Sequence, residues 1–332
     1  MSDCRSAKLG WGGKKNENVS DISEIKLTFI MKKLFVFLLV NLISMVGWGQ
    51  TMNAKPADVS RFLSSKCFVV LDADPFSEFN AVIDDYMKQF WKLTPYEIID
   101  AKKFANLRTH SEHSFMFISF AELTQTKTSL FATNTLLFKN KMSSQFTVLN
   151  VSMGDKSGNI QKMPEIISIP LAYYFDANDE DDDDFEEPEY AYKLGAILKS
   201  ISFLVNEKMS NPNINIEKLM DAYSSEIKNY ELWFLSSDLP DNLQSVDAIL
   251  KLYPYKVKIV TEEEIENVIK SNMKNIAILH KIGPEDYPLK DVYCFKTLIS
   301  CEDGKPLYFD YHMISKSKPD AFLMEDFKKI GK

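Results

Sequence analysis

Glycine is scarce: of 11 in 332 residues, five fall within the first 50, which leaves Gly154, Gly158, Gly195, Gly283, Gly304 and Gly331 scattered along the rest. Phosphate cradles and dinucleotide fingerprints need clustered glycines, because the backbone amides must approach the ligand without a Cβ in the way. The composition therefore predicts no nucleotide cofactor. Cysteine is equally sparse. The four cysteines form no paired C-x-x-C, and neither H-E-x-x-H nor G-x-S-x-G occurs, so zinc-ribbon, zincin and serine-hydrolase chemistries lack their minimal signatures. A basic excess is also missing. The net charge is −8, and beyond residue 50 the balance is 32 basic against 43 acidic side chains, ten of the acids lying between Asp176 and Glu189. A neutral body with one acidic segment argues against nucleic acid or an anionic membrane surface as partner, since both select basic faces.

What is present begins with an export pattern. Met31-Lys32-Lys33 opens the segment Leu34 to Val46, apolar except for Asn41 and Ser44, and Gly47-Trp48-Gly49-Gln50 follows with small residues placed for cleavage. Its 13 residues fall short of the roughly 20 that span a bilayer, so residues 31–50 are expected to be a cleaved signal peptide. Residues 1–30 then read as an overlong start before the better initiator, Met31. The product expected is exported, periplasmic or extracellular, soluble after cleavage and without a membrane span. Export permits disulfides. Cys294 and Cys301 share one predicted strand and are too far apart to bond, so any bridge must use Cys67; three buried free thiols are the expectation.

The body repeats itself. In residues 56–210, Cys67 to Leu71 reads as a buried strand, followed by a helix with Phe76, Phe79, Ile83, Tyr86 and Phe90 on one face, a strand from Tyr96 to Ile99, a helix from Ala101 to Arg108 and a strand from Ser114 to Phe120. In residues 214–332 the same order recurs, offset by 159 to 164 residues: Leu232 to Leu235, a helix near Gln244 to Leu252, Tyr255 to Val260, a helix opened by the capping box Thr261-Glu264, and Ile276 to Leu279. Each copy closes with a hairpin and a helix. The hairpins are Phe146 to Met153 with Ile166 to Tyr173, and Val292 to Cys301 with Leu307 to Ile314 around the turn Asp303-Gly304. The closing helices run from about Tyr190 to Glu207 and from about Asp320 to Ile330, and Asn211-Pro212-Asn213 marks the join. The fold class expected is α/β of the mixed α+β kind: two tandem units, each a mixed sheet with helices packed on it.

This element order, with a strand ending in Ile98-Ile99-Asp100 and a helix beginning Ala101-Lys102-Lys103-Phe104, resembles the small α/β domain of TolB N-terminal, CsgG-type and LpoB-type envelope proteins, over about residues 67–120 and again 232–280. Ala101 stands where some of those relatives carry an arginine. The whole chain also resembles uncharacterised secreted proteins of Gram-negative bacteria. The first resemblance implies an assembly or partner-binding role, with another envelope protein as partner, and no catalysis.

Four constellations carry possible chemistry. Asp72 and Asp74, ending a buried strand as D-x-D, resemble the first motif of haloacid-dehalogenase-type phosphatases, with Gly154-Asp155 as a later metal-binding acid; this makes a metal-dependent hydrolase the alternative reading. Phe76 departs from that motif, and the same residues otherwise shape a turn and cap the next helix. Asp176, Asn178, Glu180, Asp182, Asp184 and Glu187 match calcium-loop spacing, but Asp181 stands where the loop needs glycine, so an extended solvated insertion competes with a calcium-binding module. His110-Ser111-Glu112-His113 has a metal-like separation in a loop and reads chiefly as exposed. Asp310 and His312 are expected on one face of the last hairpin, as a structural pair with Thr297 and Phe295 across the strands and Cys294 on the opposite face. The function expected is an exported, non-catalytic envelope protein that binds or helps assemble a partner.

Overall fold

Parallel pairing of alternating strands and helices followed by an antiparallel hairpin builds the same sheet twice. The computed structural model describes residues 54–126, 129–133, 144–174, 189–214, 216–284 and 292–332; residues 31–50, expected to be a signal peptide, and the acidic run 176–187 lie outside these residues. In the first copy the strands are β1 (Cys67–Val70), β2 (Tyr96–Ile99), β3 (Ser114–Thr126), β4 (Ser129–Thr133), β5 (Ser144–Met153) and β6 (Glu165–Tyr174). Their order is β2-β1-β3-β5-β6, with β4 paired beside β3. The second copy holds β7 (Glu231–Leu235), β8 (Val257–Val260), β9 (Ile276–Ile282), β10 (Tyr293–Ser300) and β11 (Pro306–Met313), ordered β8-β7-β9-β10-β11. β1 and β7 are each parallel to both neighbours, while β3 and β9, at the centre, are antiparallel to the hairpins β5-β6 and β10-β11, which are themselves antiparallel. The expected mixed α/β class with two similar sheets is what the chain forms.

The helices are α1 (Pro56–Leu63), α2 (Glu78–Phe90), α3 (Ala101–Leu107), α4 (Leu194–Ser210), α5 (Ile216–Tyr223), α6 (Val246–Leu250), α7 (Glu262–Lys270) and α8 (Met324–Ile330). Local chemistry sets several starts. Ser77, Asp100, Ser245 and Thr261 each accept a backbone N–H from the first turn, and Glu264 completes the capping box by accepting from the Thr261 amide. Strand alternation then decides what each face meets. Cys67, Val69 and Met116 turn inward to α1, α2 and α4, whereas Phe68, Val70, Phe115 and Phe117 turn outward under Phe104 of α3. In the second sheet Trp233, Leu235 and Ile278 join the same inner core as α7, and Leu232, Phe234 and Leu279 face α6 and α8.

One apolar core therefore spans both copies. It uses the first-helix face of copy one and the second-helix face of copy two, so the copies stack front to back. Helix α4 lies at the seam. Gly195 makes that possible, because a Cβ there would sit 2.6 Å from the Phe90 ring and 2.8 Å from Ile269 Cγ2. Lys199 reaches from α4 to the carbonyls of Ile269 and Cys301 at 2.9 and 2.5 Å, while Tyr86 Oη donates to Glu266 at 2.6 Å and Gln89 to the Lys270 carbonyl at 2.6 Å.

Several details differ from expectation. Phe76 is 92% exposed, because the chain is still turning there and α2 starts only after the Ser77 cap. Helix α8 begins at Met324 and not near Asp320, and α4 is preceded by a 3-10 turn, Ala191–Lys193. The last hairpin turns through the four residues 301–304 and not two, with the Ser300 amide donating to the Lys305 carbonyl, and a bulge between Leu298 and Ile299 takes back one residue of that shift, so Asp310 pairs with Lys296 and His312 with Cys294, in place of Thr297 and Phe295. Cys294 and His312 are thus direct neighbours. The three cysteines Cys67, Cys294 and Cys301 are free and buried.

Candidate functional site

A cavity of about 190 Å³ opens at the carboxyl ends of β7 and β9, the end of a parallel sheet where α/β folds bind ligands. Strand β7 delivers Leu235 and then turns through Ser237 and Asp238, β9 supplies His280 to Ile282, α7 contributes Glu262 from its first turn, and the segment entering α4 adds Tyr190 and Lys193. β6 closes one wall with Leu171 and Ala172.

His280 is buried, and its Nε2 lies 2.9 Å from the Pro170 carbonyl. A carbonyl only accepts, so Nε2 carries the proton and Nδ1 presents a lone pair. Among the described residues Nδ1 has no hydrogen-bond partner. Burial, reinforced by the positive charge of Lys193, pushes the imidazole down to about 4, so it is neutral at physiological pH. Asp238 is likewise buried, and its Oδ2 has no partner among the described residues. Lys281 is bound to Asp320 at 2.9 Å; burial opposes its charge, but the carboxylates of Asp320 and Asp238 outweigh this and hold it above its ordinary value. Asp238 and His280 both line the cavity, and each holds one buried acceptor atom without a partner among the described residues. Leaving such atoms unpaired costs about 1–3 kcal/mol each, more when charged, which a hydrogen-bond donor in the cavity would relieve.

The residues singled out from sequence lie elsewhere. Asp72 Oδ1 accepts from the Asp74 amide at 3.0 Å, Asp74 Oδ1 accepts from the Phe76 amide at 2.9 Å, and Asn80 ties the turn together by accepting from the Asp72 amide and donating to the carbonyls of Asp72 and Asp74. These carboxylates shape the turn after β1. Asp155 sits beyond the other end of the sheet, following Met153, which pairs with Ser114 at the start of β3, and its carboxylate accepts from the Ser157 amide and hydroxyl. The hydrolase constellation is therefore not brought together. The calcium-spaced acids, Asp176, Asn178, Glu180, Asp182, Asp184 and Glu187, fall outside the described residues. Asp310 accepts from Tyr308 and Lys329, and His312 lies 2.8 Å from the Pro319 carbonyl, so the two are held by different partners.

Sequence reasoning missed Asp238, His280 and Lys281. The available signal was an Asp just past a strand end together with a basic pair, His280-Lys281, inside an otherwise apolar strand. Comparison with protein-family models, with curated proteins and with solved structures found no match.

Proposed function

We propose that this chain is an exported, non-catalytic cell-envelope protein that captures another envelope protein, seating a donor-bearing side chain of that partner in the cavity beside Asp238. The observation that carries the reading is that two residues lining one recess, Asp238 and His280, each hold a buried acceptor, Oδ2 and Nδ1, without a partner among the described residues. A lysine ammonium or a hydroxyl supplies the missing donors. Binding fits this site better than proton transfer does, since a general base works best with a pKa near the operating pH, and His280 and Lys281 are displaced in opposite directions away from neutrality. The burial that raises Cys67 and Cys301 to about 12 also suits inert thiols, not nucleophiles. The resemblance to TolB-, CsgG- and LpoB-type domains points the same way.

The test places a photo-crosslinking amino acid at Ser237, an exposed residue on the rim, in cells that export the chain. One discrete protein adduct is expected, reduced when Asp238→Asn removes the anionic acceptor while the melting temperature stays within a few degrees. Absence of an adduct, or an adduct indifferent to Asp238→Asn, overturns the proposal.

A further inference from the structure

The loop between α3 and β3 brings three ligand-type side chains together at the opposite end of the first sheet. His110, Glu112 and His113 place one potential ligand atom each within 4.8 Å of one another. His110 Nδ1 lies 3.3 Å from Glu112 Oε1. Two ligands about 2.0–2.1 Å from a zinc ion and disposed tetrahedrally sit about 3.4 Å apart, so this pair already has the spacing of shared coordination.

The backbone beneath them is fixed. The His113 amide donates to the His110 carbonyl at 3.2 Å, the Gly154 amide to the His113 carbonyl at 2.8 Å, and the Asp155 amide to the Arg108 carbonyl at 2.9 Å. Gly154 allows this clamp, because a Cβ there would stand 2.1 Å from the His110 carbonyl oxygen. The His113 ring is held edge-on against Phe68, with centroids 5.0 Å apart. Only side-chain rotation is left to order, which lowers the entropic cost of binding.

We infer that His110, Glu112 and His113 form a binding site for one divalent transition-metal ion of the zinc, nickel or copper type. Two imidazole nitrogens and a carboxylate select these ions over magnesium and calcium, which prefer all-oxygen shells. His110 and Glu112 are exposed, so solvent completes the coordination. The site is independent of the cavity.

Isothermal titration of the full-length chain, carrying Cys4→Ser to remove the thiol outside the described residues, tests it with zinc, nickel and magnesium chlorides. One zinc or nickel ion per chain is expected, and no saturable heat with magnesium. Even outer-shell partners of metal ligands are worth about 10–100-fold in affinity, so His110→Asn or His113→Asn should each weaken zinc by at least about 10-fold. In proton NMR, zinc should shift two histidine ring signals and leave those of His280 and His312 in place. Failure to saturate with zinc at millimolar concentration overturns the assignment, as does unchanged affinity in the double variant His110→Asn/His113→Asn.

Discussion

Lys296 and Asp326 meet at 2.6 Å with side chains only 2% exposed, and Asp326 also accepts from Tyr308 Oη at 2.7 Å and from the Leu323 amide at 2.6 Å. Such a pair holds together only while both members remain. Asp326→Ala should cost about 3–5 kcal/mol in urea denaturation, and the double change Lys296→Met/Asp326→Leu distinctly less, because the second removes the stranded charge. His280 sets a second expectation. Its native value of about 4 lies below its ordinary 6.5, so between those limits the unfolded chain binds more protons than the native one. Stability from this residue is therefore fully present above about pH 6.5 and is lost as pH falls toward 4, by up to about 3 kcal/mol. Chemical denaturation from pH 7 to 4 should show a shallower decline in His280→Asn than in the parent chain. None of this was legible beforehand: Lys281, Lys296, Asp320 and Asp326 carry charges that a sequence assigns to the surface, and only tertiary pairing explains their burial.

Elements were more legible than their pairings. The continuous apolar strands and the Thr261-Glu264 capping box lie where hydrophobic pattern and end chemistry put them, because these are local properties of the chain. The register of β10 and β11 was not legible, since the chain turns over four residues, 301–304, and not over Asp303-Gly304 alone, and a bulge between Leu298 and Ile299 offsets only part of that difference. Helix α5 gave too little signal at eight residues, a length at which packing and not intrinsic preference decides helicity. Gly195 marks an element-scale test. Alanine there would gain about 1 kcal/mol in helix propensity. The contacts at 2.6 Å to Phe90 and 2.8 Å to Ile269 should outweigh that gain, destabilising the chain by about 1–3 kcal/mol on thermal or urea unfolding.

At the scale of the molecule, the shared core couples the copies. Leu198 on α4 is fully buried in the core that also holds Val69 and Trp233. Leu198→Ala should cost about 2–5 kcal/mol and lower both copies together. Single-tryptophan variants that keep only Trp91 or only Trp233 should report coincident unfolding transitions, whereas separated transitions would show that each copy melts alone. The front-to-back stacking has one further consequence. A heterologous contact of this kind has no built-in stopping point and propagates wherever the outer face repeats the inner one. The residues of α7 that hold the first copy are Glu266, Ile269 and Lys270; counted from the Asp100 and Thr261 caps, the matching places in the first copy are Ala105 on α3 and Arg108 and Thr109 just past its end. The Arg108 guanidinium lies 5.7 Å from the Phe104 ring centroid, so the outer face of the first copy does not repeat the α7 face that holds it.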